Sequence, residues 1–328
     1  MVDNETKKRV LQAANKLHYV PTQMARGLKQ RRSKMIQLLV PTITNPFFPK
    51  LIDCFSKEID QYGYATFLSV SKSSKSEELK CVQRAREFSA DGIILVASTD
   101  DCDHITAMKN YGIPMILVNR SWDLGLPSVT NDIFFGAYKA VEHLILHGHR
   151  KIVCIMSDIS VQHIRERYAG CLQAFRDYGI GSEGGVFIQA QSTKEVYDKT
   201  CRALEENHDV TAFFVASDWM AMGVYSGVIR GGYSIPKDIS VMGFDDVEDS
   251  AYMIPPLSTW HHPIETIAQI AVKKLIDHIE GRETDWDGKI VIHGRLIERN
   301  SVCQIGPAPE KIKKESGPLD PINFSESV

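Results

Sequence analysis

The sequence is short of several features that would point to chemistry at once. Its seven cysteines (54, 81, 102, 154, 171, 201 and 303) are scattered, odd in number and without a Cys-x-x-Cys pair. That excludes a disulfide framework or a structural zinc site and predicts reduced, buried thiols. No apolar run approaches ~18 residues, so no membrane span is expected. The first residues hold no apolar core of a secretory leader, so none is expected. No Gly-rich phosphate loop, paired-carboxylate motif or nucleophile–base pair emerges, so the chain does not read as an enzyme. His147-Gly148-His149 and His261-His262 lack a third ligand at metal spacing. Neither a metal nor a cofactor is expected.

Charge is present but unevenly spread. Residues 1–34 hold nine Lys/Arg against Asp3 and Glu5, a net +7, while the whole chain is −3, which leaves −10 on residues 35–328. A compact positive head on a negative body suits a protein that sets one end on a phosphate backbone. A charge run alone is often a solvated face, and the order inside this one is what argues otherwise. Asp3, Asn4 or Thr6 can cap a helix whose Val10, Ala14 and Leu17 form one apolar face. Pro21 then opens a second helix, Thr22 to Leu28, too short to be stable in water without a partner. Met24 and Leu28 are its apolar wedges, and Arg26, Lys29 and Arg31 its cations. That combination suits minor-groove DNA, where a side chain is pushed between base steps and cations neutralise phosphates.

The body alternates. Short β-rich runs at 35–40, 64–70, 92–96, 115–118, 152–156, 186–189, 212–216 and 239–244 are separated by helical patterns, with a break near 129–133. This predicts an α/β fold of two doubly wound parallel-sheet lobes, with ligands at the carboxyl ends of the strands. A length of 328 residues also favours two lobes. From Cys303 the text turns polar and Pro-rich, and residues 304–328 are expected to be disordered.

Lys8-Arg9-Val10-Leu11, Leu17-His18-Tyr19-Val20-Pro21 and Ala25-Arg26-Gly27-Leu28 resemble the end of the DNA-binding headpiece and the hinge helix of the lac repressor / purine repressor (LacI/GalR) family. Ile36-Gln37-Leu38-Leu39-Val40-Pro41, Asn45-Pro46-Phe47-Phe48, Asp91-Gly92-Ile93-Ile94, Gly148-His149-Arg150-Lys151-Ile152 and Gly243-Phe244-Asp245-Asp246 follow in family order. The resemblance implies a hinge helix over 21–29 that meets DNA through Thr22, Met24, Ala25, Arg26, Leu28, Lys29 and Arg31, with Leu28 as the intercalating leucine. The family's helix-turn-helix has no counterpart in residues 1–34. The resemblance further implies a core like periplasmic sugar-binding proteins over 35–303, crossed three times by the chain, with crossings expected near Thr130, Ser258–Trp260 and Trp286–Lys289. The first lobe is then about 35–130 and 260–287, and the second about 131–258 and 288–303.

The ligand candidates follow from these matches. Asn45 and Pro46 can cap a helix with Phe47 and Phe48 in the core, but in the family loop such rings face the ligand. Asp245 ends a strand, where a carboxylate can accept two hydroxyls. The planar fork of Arg167 suits a carboxylate, phosphate or paired hydroxyls, with Arg165 as its rival on the same helix. Ser217 can bond a hydroxyl or cap a helix, and Trp219 can stack or pack. Phe214, Trp122, Asn119 and Arg120 are further candidates, and Asp132, beside Asn131, can bond ligand or hold the crossing. The expected function is a cytoplasmic, homodimeric repressor that binds operator DNA and a small effector, a sugar or sugar acid. The alternative is a ligand-binding protein of the same fold without sequence-specific DNA binding.

Overall fold

The computed structural model describes residues 3–17, 32–96, 102–181, 184–282 and 286–312. Helix α1 (Asn4–Lys16) is capped by Asp3, whose carboxylate accepts from the backbone N–H groups of Glu5 and Thr6. Its Val10 and Leu17 are exposed, so the apolar face that the sequence shows has no cover among the described residues. The hinge segment, with Thr22, Met24, Ala25, Arg26, Leu28, Lys29 and Arg31, lies outside the described residues.

The first lobe contains β1 (Met35–Val40), α2 (Phe47–Gln61), β2 (Ala65–Val70), α3 (Lys75–Glu87), β3 (Gly92–Leu95), α4 (Asp103–Lys109), β4 (Met115–Val118) and β5 (Ser128–Asn131). The second contains α5 (Ile133–Leu146), β6 (Ile152–Met156), α6 (Gln162–Asp177), β7 (Gly185–Gln189), α7 (Thr193–Glu206), β8 (Ala212–Val215), α8 (Asp218–Arg230), β9 (Ser240–Asp245) and β10 (Ser258–His261). The chain then returns to the first lobe for α9 (Ile264–Ile279) and β11 (Lys289–Ile292), and ends in the second with β12 (Arg295–Ile297). The sheet orders are β11-β5-β4-β3-β1-β2 and β12-β10-β9-β8-β6-β7. Strands β3, β4, β6, β8 and β9 are buried throughout, as parallel strands covered on both faces must be, and this is why the first four read as unbroken apolar runs. On α2, Phe47, Leu51, Phe55 and Ile59 recur every four residues and pack with Ile267, Ala271 and Leu275 of α9.

The first crossing lies at Asn131–Asp132, beside Thr130 where it is expected, but the second lies at His262–Pro263 and the third at His293–Gly294. Residues 258–260, expected as the second crossing, belong to β10 (Ser258–His261) paired with β9, so Trp260 belongs to the second lobe. Residues 289–292, assigned to the second lobe, pair in parallel with β5 of the first. Both strands have only four residues, too few for their period to show. Gly294 is required at the third crossing, because a Cβ there would run into the carbonyl of His261 and the indole of Trp260.

The tail also departs from expectation. Residues 304–312 are laid along the second lobe. The N–H of Ile305 donates to the carbonyl of His147 (2.9 Å) and that of Ile312 to the carbonyl of Asp177 (2.7 Å). The Lys311 ammonium meets the buried Glu142 at 3.1 Å and lies over the rings of Tyr138 and Tyr178. Polar, Pro-rich composition predicts disorder only while no fixed surface pairs with it, and here the carboxyl ends of α5 and α6 supply one. Residues 313–328 lie outside the described residues.

Candidate functional site: the interlobe cleft

Each sheet places its second strand outside its first, so the strand order reverses at β1 and at β6. A doubly wound sheet opens a crevice beyond the carboxyl ends of its strands at that point. The two crevices face each other and form one cleft of about 680 Å³.

The first lobe contributes the loop after β1. The Asn45 side chain accepts from the N–H of Phe47 (3.0 Å) and turns the chain into α2. Phe47 and Phe48 line the cleft, edge to face at 5.3 Å. After β4, Asn119 adopts a left-handed φ of +59° and lines the lip beside Arg120. Arg120 is 4% exposed, and its Nη2 lies 3.2 Å from Nδ1 of His163 on α6, across the cleft.

The second lobe contributes a buried ion pair. Nη2 of Arg167 lies 3.3 Å from Oδ1 of Asp245, and the guanidinium also covers the Phe244 ring at 4.2 Å. Nε of Arg167 is buried without a partner among the described residues. Burial pushes the Asp245 carboxyl up to about 6, although the Arg167 charge pulls it back. Burial likewise lowers the Arg167 pKa, against the pull of Asp245. Asp245 and Asp246 both have positive φ, +119° and +57°, which side chains other than glycine adopt only where the surroundings hold them. Here Asp218 accepts from the N–H of Val247 (3.0 Å) and from Thr259 Oγ1 (2.6 Å). Asp246 is gripped by Arg299 (2.7 Å) and His261 (2.8 Å). Against the upward push of burial, these two partners hold the Asp246 carboxyl down to about 2.

Ser217 occupies the N-cap position of α8 but makes no capping hydrogen bond, and its buried hydroxyl is unpaired among the described residues. It lines the cleft with Trp219. Arg165 does not: its guanidinium is exposed and donates to the carbonyls of Ile159 and Ser160. Three candidates fall away from the cleft. Phe214 is wholly buried in the second-lobe core, because both faces of β8 are packed and a side chain in the middle of that strand does not reach the cleft at its end. Trp122 packs on the first-lobe core. Asp132 caps α5 by accepting from the N–H of Phe135 (3.0 Å) and faces His293 of the third crossing (3.5 Å). The sequence reading missed His163, Gln191, Lys75 and His262, which all line the cleft. Gln191 and Lys75 follow strand ends, so the carboxyl-end rule applied to every strand would have found them. No group of three metal-ligating side chains occurs among the described residues, and none of their helices is long and apolar enough to cross a membrane.

The geometry is that of known proteins: the family model of a periplasmic binding protein-like domain matches residues 141–302. The chain is 30% identical over 310 residues to the HTH-type transcriptional repressor PurR of Serratia proteamaculans, covering 93% of this chain and 90% of that protein. It is 28% identical over 311 residues to PurR of Mannheimia succiniciproducens, covering 93% and 92%. Among solved structures, the ribose-bound LacI family transcriptional regulator from Enterococcus faecium superposes with a TM-score of 0.74 at 28% identity, covering 83% of this chain and 100% of that one. The lac repressor dimer bound to operator and the anti-inducer ONPF superposes at 0.83 with 24% identity, covering 92% of each, and attests the fold. With 30% identity over an alignment that spans nine-tenths of a purine repressor, the chain belongs to the lac repressor / purine repressor (LacI/GalR) family of transcriptional regulators.

Proposed function

We propose that this protein is a cytoplasmic repressor whose DNA binding is set by a small effector held in the interlobe cleft, and that the effector is a sugar or sugar acid. The observation that carries the reading is the Arg167–Asp245 pair, buried at the carboxyl end of a strand and facing Phe47 and Phe48 across the cleft. A carboxylate and a guanidinium fork match paired hydroxyls or an acid group, and rings on the other wall match the apolar face of a sugar. Ser217 and Trp219 add a hydroxyl and a second ring.

The mechanism is a change of lobe angle. An effector shifts the balance only as far as it binds one angle better than the other. The root of the basic head is fastened to the first lobe. Asp91 accepts from the N–H groups of Ser33 (3.0 Å) and Lys34 (2.9 Å), and the Lys34 ammonium meets Glu280 at 3.1 Å. Movement of that lobe therefore carries the head on operator DNA, with Thr22 to Arg31 as the contacting segment. A homodimer is part of the proposal: Ile229, Tyr252 and Ile254 stand exposed, at 62%, 75% and 87%, and a second copy would cover them.

The test is a thermal-shift screen against sugars, sugar acids, sugar phosphates, nucleosides and purines. A true effector at 100 times its Kd adds ~2.7 kcal/mol of stability. A shift with a sugar or sugar acid that is lost in Asp245→Ala supports the reading. A shift confined to purines replaces the ligand class, and no shift with any class removes the cleft as an effector site.

A further inference from the structure

Two of the three crossings between the lobes are tied together by one imidazole. His262 opens the second crossing and is 2% exposed. Its Nδ1 lies 3.1 Å from Nδ2 of Asn131, the last residue of β5 at the first crossing. Its Nε2 lies 3.1 Å from Oδ1 of Asn119 on the cleft lip. An amide nitrogen only donates, so Nδ1 is bare and accepts. An amide oxygen only accepts, so Nε2 carries the proton and donates. Only the neutral Nε2–H tautomer satisfies both bonds. The surroundings keep the ring neutral: burial, helped by the charges of Arg167, His261 and Lys50, pushes its pKa down to about 3.

The same residue touches both walls of the cleft. Its ring stands edge to face with Phe47 at 5.0 Å. Its backbone N–H donates to the carbonyl of Asp245 at 3.3 Å. Whatever presses on Phe47 or draws on Asp245 therefore acts on a group that also holds the crossings.

We propose that His262 is the positioning residue of the interlobe hinge: its imidazole bridges Asn131 and Asn119 and sets the angle at which the two walls face each other. Hinges absorb a domain rotation in a few residues at element ends, and Asn131 and His262 both occupy such places. The bond between them joins two crossings and survives a rotation about them. The bond to Asn119 reaches into the first lobe and resists it. The inference rests on the cleft being the effector site, but its test needs no ligand.

The test is amide hydrogen exchange and X-ray scattering on the full chain, ligand-free, for the wild type, His262→Leu, His262→Gln and Asn119→Gly. His262→Leu removes both bonds at similar volume. It is expected to speed exchange at residues 130–133 and 262–264 about tenfold, the scale of lost buried hydrogen bonds, and to enlarge the radius of gyration. His262→Gln keeps an acceptor and a donor on one amide and is expected to match the wild type. Asn119→Gly keeps the left-handed backbone and removes the acceptor, so it loosens the same segments by less; it decides the matter should His262→Leu fail to fold. Wild-type exchange in His262→Leu, or in Asn119→Gly where that variant decides, overturns the proposal, as does His262→Gln behaving like His262→Leu. A silent ligand screen beside a loosened His262→Leu would overturn the effector reading and leave the hinge standing.

Discussion

The first lobe meets the cleft with the rings of Phe47 and Phe48, the Asn119 amide and the cations Lys75 and Arg120, whereas the second meets it with the buried, oppositely charged pair of Arg167 and Asp245. The energy of a ring wall scales with the area it covers and tolerates ligands of different outline. The energy of a buried charge depends on its partners, and an unmatched one is costly. The rings of the first wall thus set shape, and the carboxylate–guanidinium pair that can match paired hydroxyls stands on the second. The second wall is also the more rigidly built. Its key carboxylate stands in a left-handed backbone clamped by Asp218, Arg299 and His261, while the Phe47-Phe48 pair of the first wall is turned in by Asn45 and backed by the His262 ring.

If the second wall carries polarity, Asp245→Ala should have the largest effect. Two charge-assisted hydrogen bonds at ~1.5–3 kcal/mol each correspond to a loss of affinity of at least about a hundredfold, read by titration calorimetry with the ligand from the screen. An unchanged Kd would remove Asp245 from the site.

Gly170→Ala probes how that wall is held. A Cβ at Gly170 would run into the carbonyl of Phe134 on α5, so α5 and α6 must separate, and overpacking of this kind costs about 1–3 kcal/mol. Chemical denaturation should register that loss. A wild-type midpoint would mean that the two helices give way freely.

Acid offers a third way to separate the walls. With its carboxyl pushed up to about 6 by burial, Asp245 takes a proton as the pH falls through that value and ceases to be a full acceptor. Affinity at pH 5 should be about tenfold weaker than at pH 7.5. The stability effect has the opposite sign. Because the folded value lies above the unfolded 3.8, Asp245 favours the folded state as the pH falls from 6 to 4, so unfolding through this group cannot imitate the loss. Equal affinity at both pH values would show that the ligand does not use the carboxylate.

Phe47→Leu should have the smallest effect, an aromatic contact of about 0.5–1.5 kcal/mol and so a several-fold change in Kd with the ligand's polar specificity intact. A loss as large as that of Asp245→Ala would erase the distinction between the walls.

Much of this molecule is legible in the chain. The unbroken apolar runs of β3, β4, β6 and β8 and the four-residue period of α2 are local signals, and burial on both faces favours such runs in a parallel strand. Asp245 and the Phe47-Phe48 pair are legible for a related reason: they stand at or after strand ends, where a doubly wound sheet opens its crevice, and they line the cleft. Of the two roles open to Asp132, the structure takes the crossing: its carboxylate caps α5 and faces His293. Phe214 misled because both faces of β8 are packed and its ring stays in the core.

Sequence by itself determined the two α/β units, their order, the basic head and the strand ends that open on the cleft, because each is encoded in a run of neighbours. Tertiary structure alone decided that Arg167 rather than Arg165 reaches the cleft, that the last described residues of the tail are pinned through Lys311, and that His262 joins Asn131 to Asn119. Those partners lie 78, 169, 131 and 143 residues apart for Arg167–Asp245, Lys311–Glu142, Asn131–His262 and Asn119–His262. A hydrogen bond depends on distance and direction in space, and at such separations only the packed fold sets either.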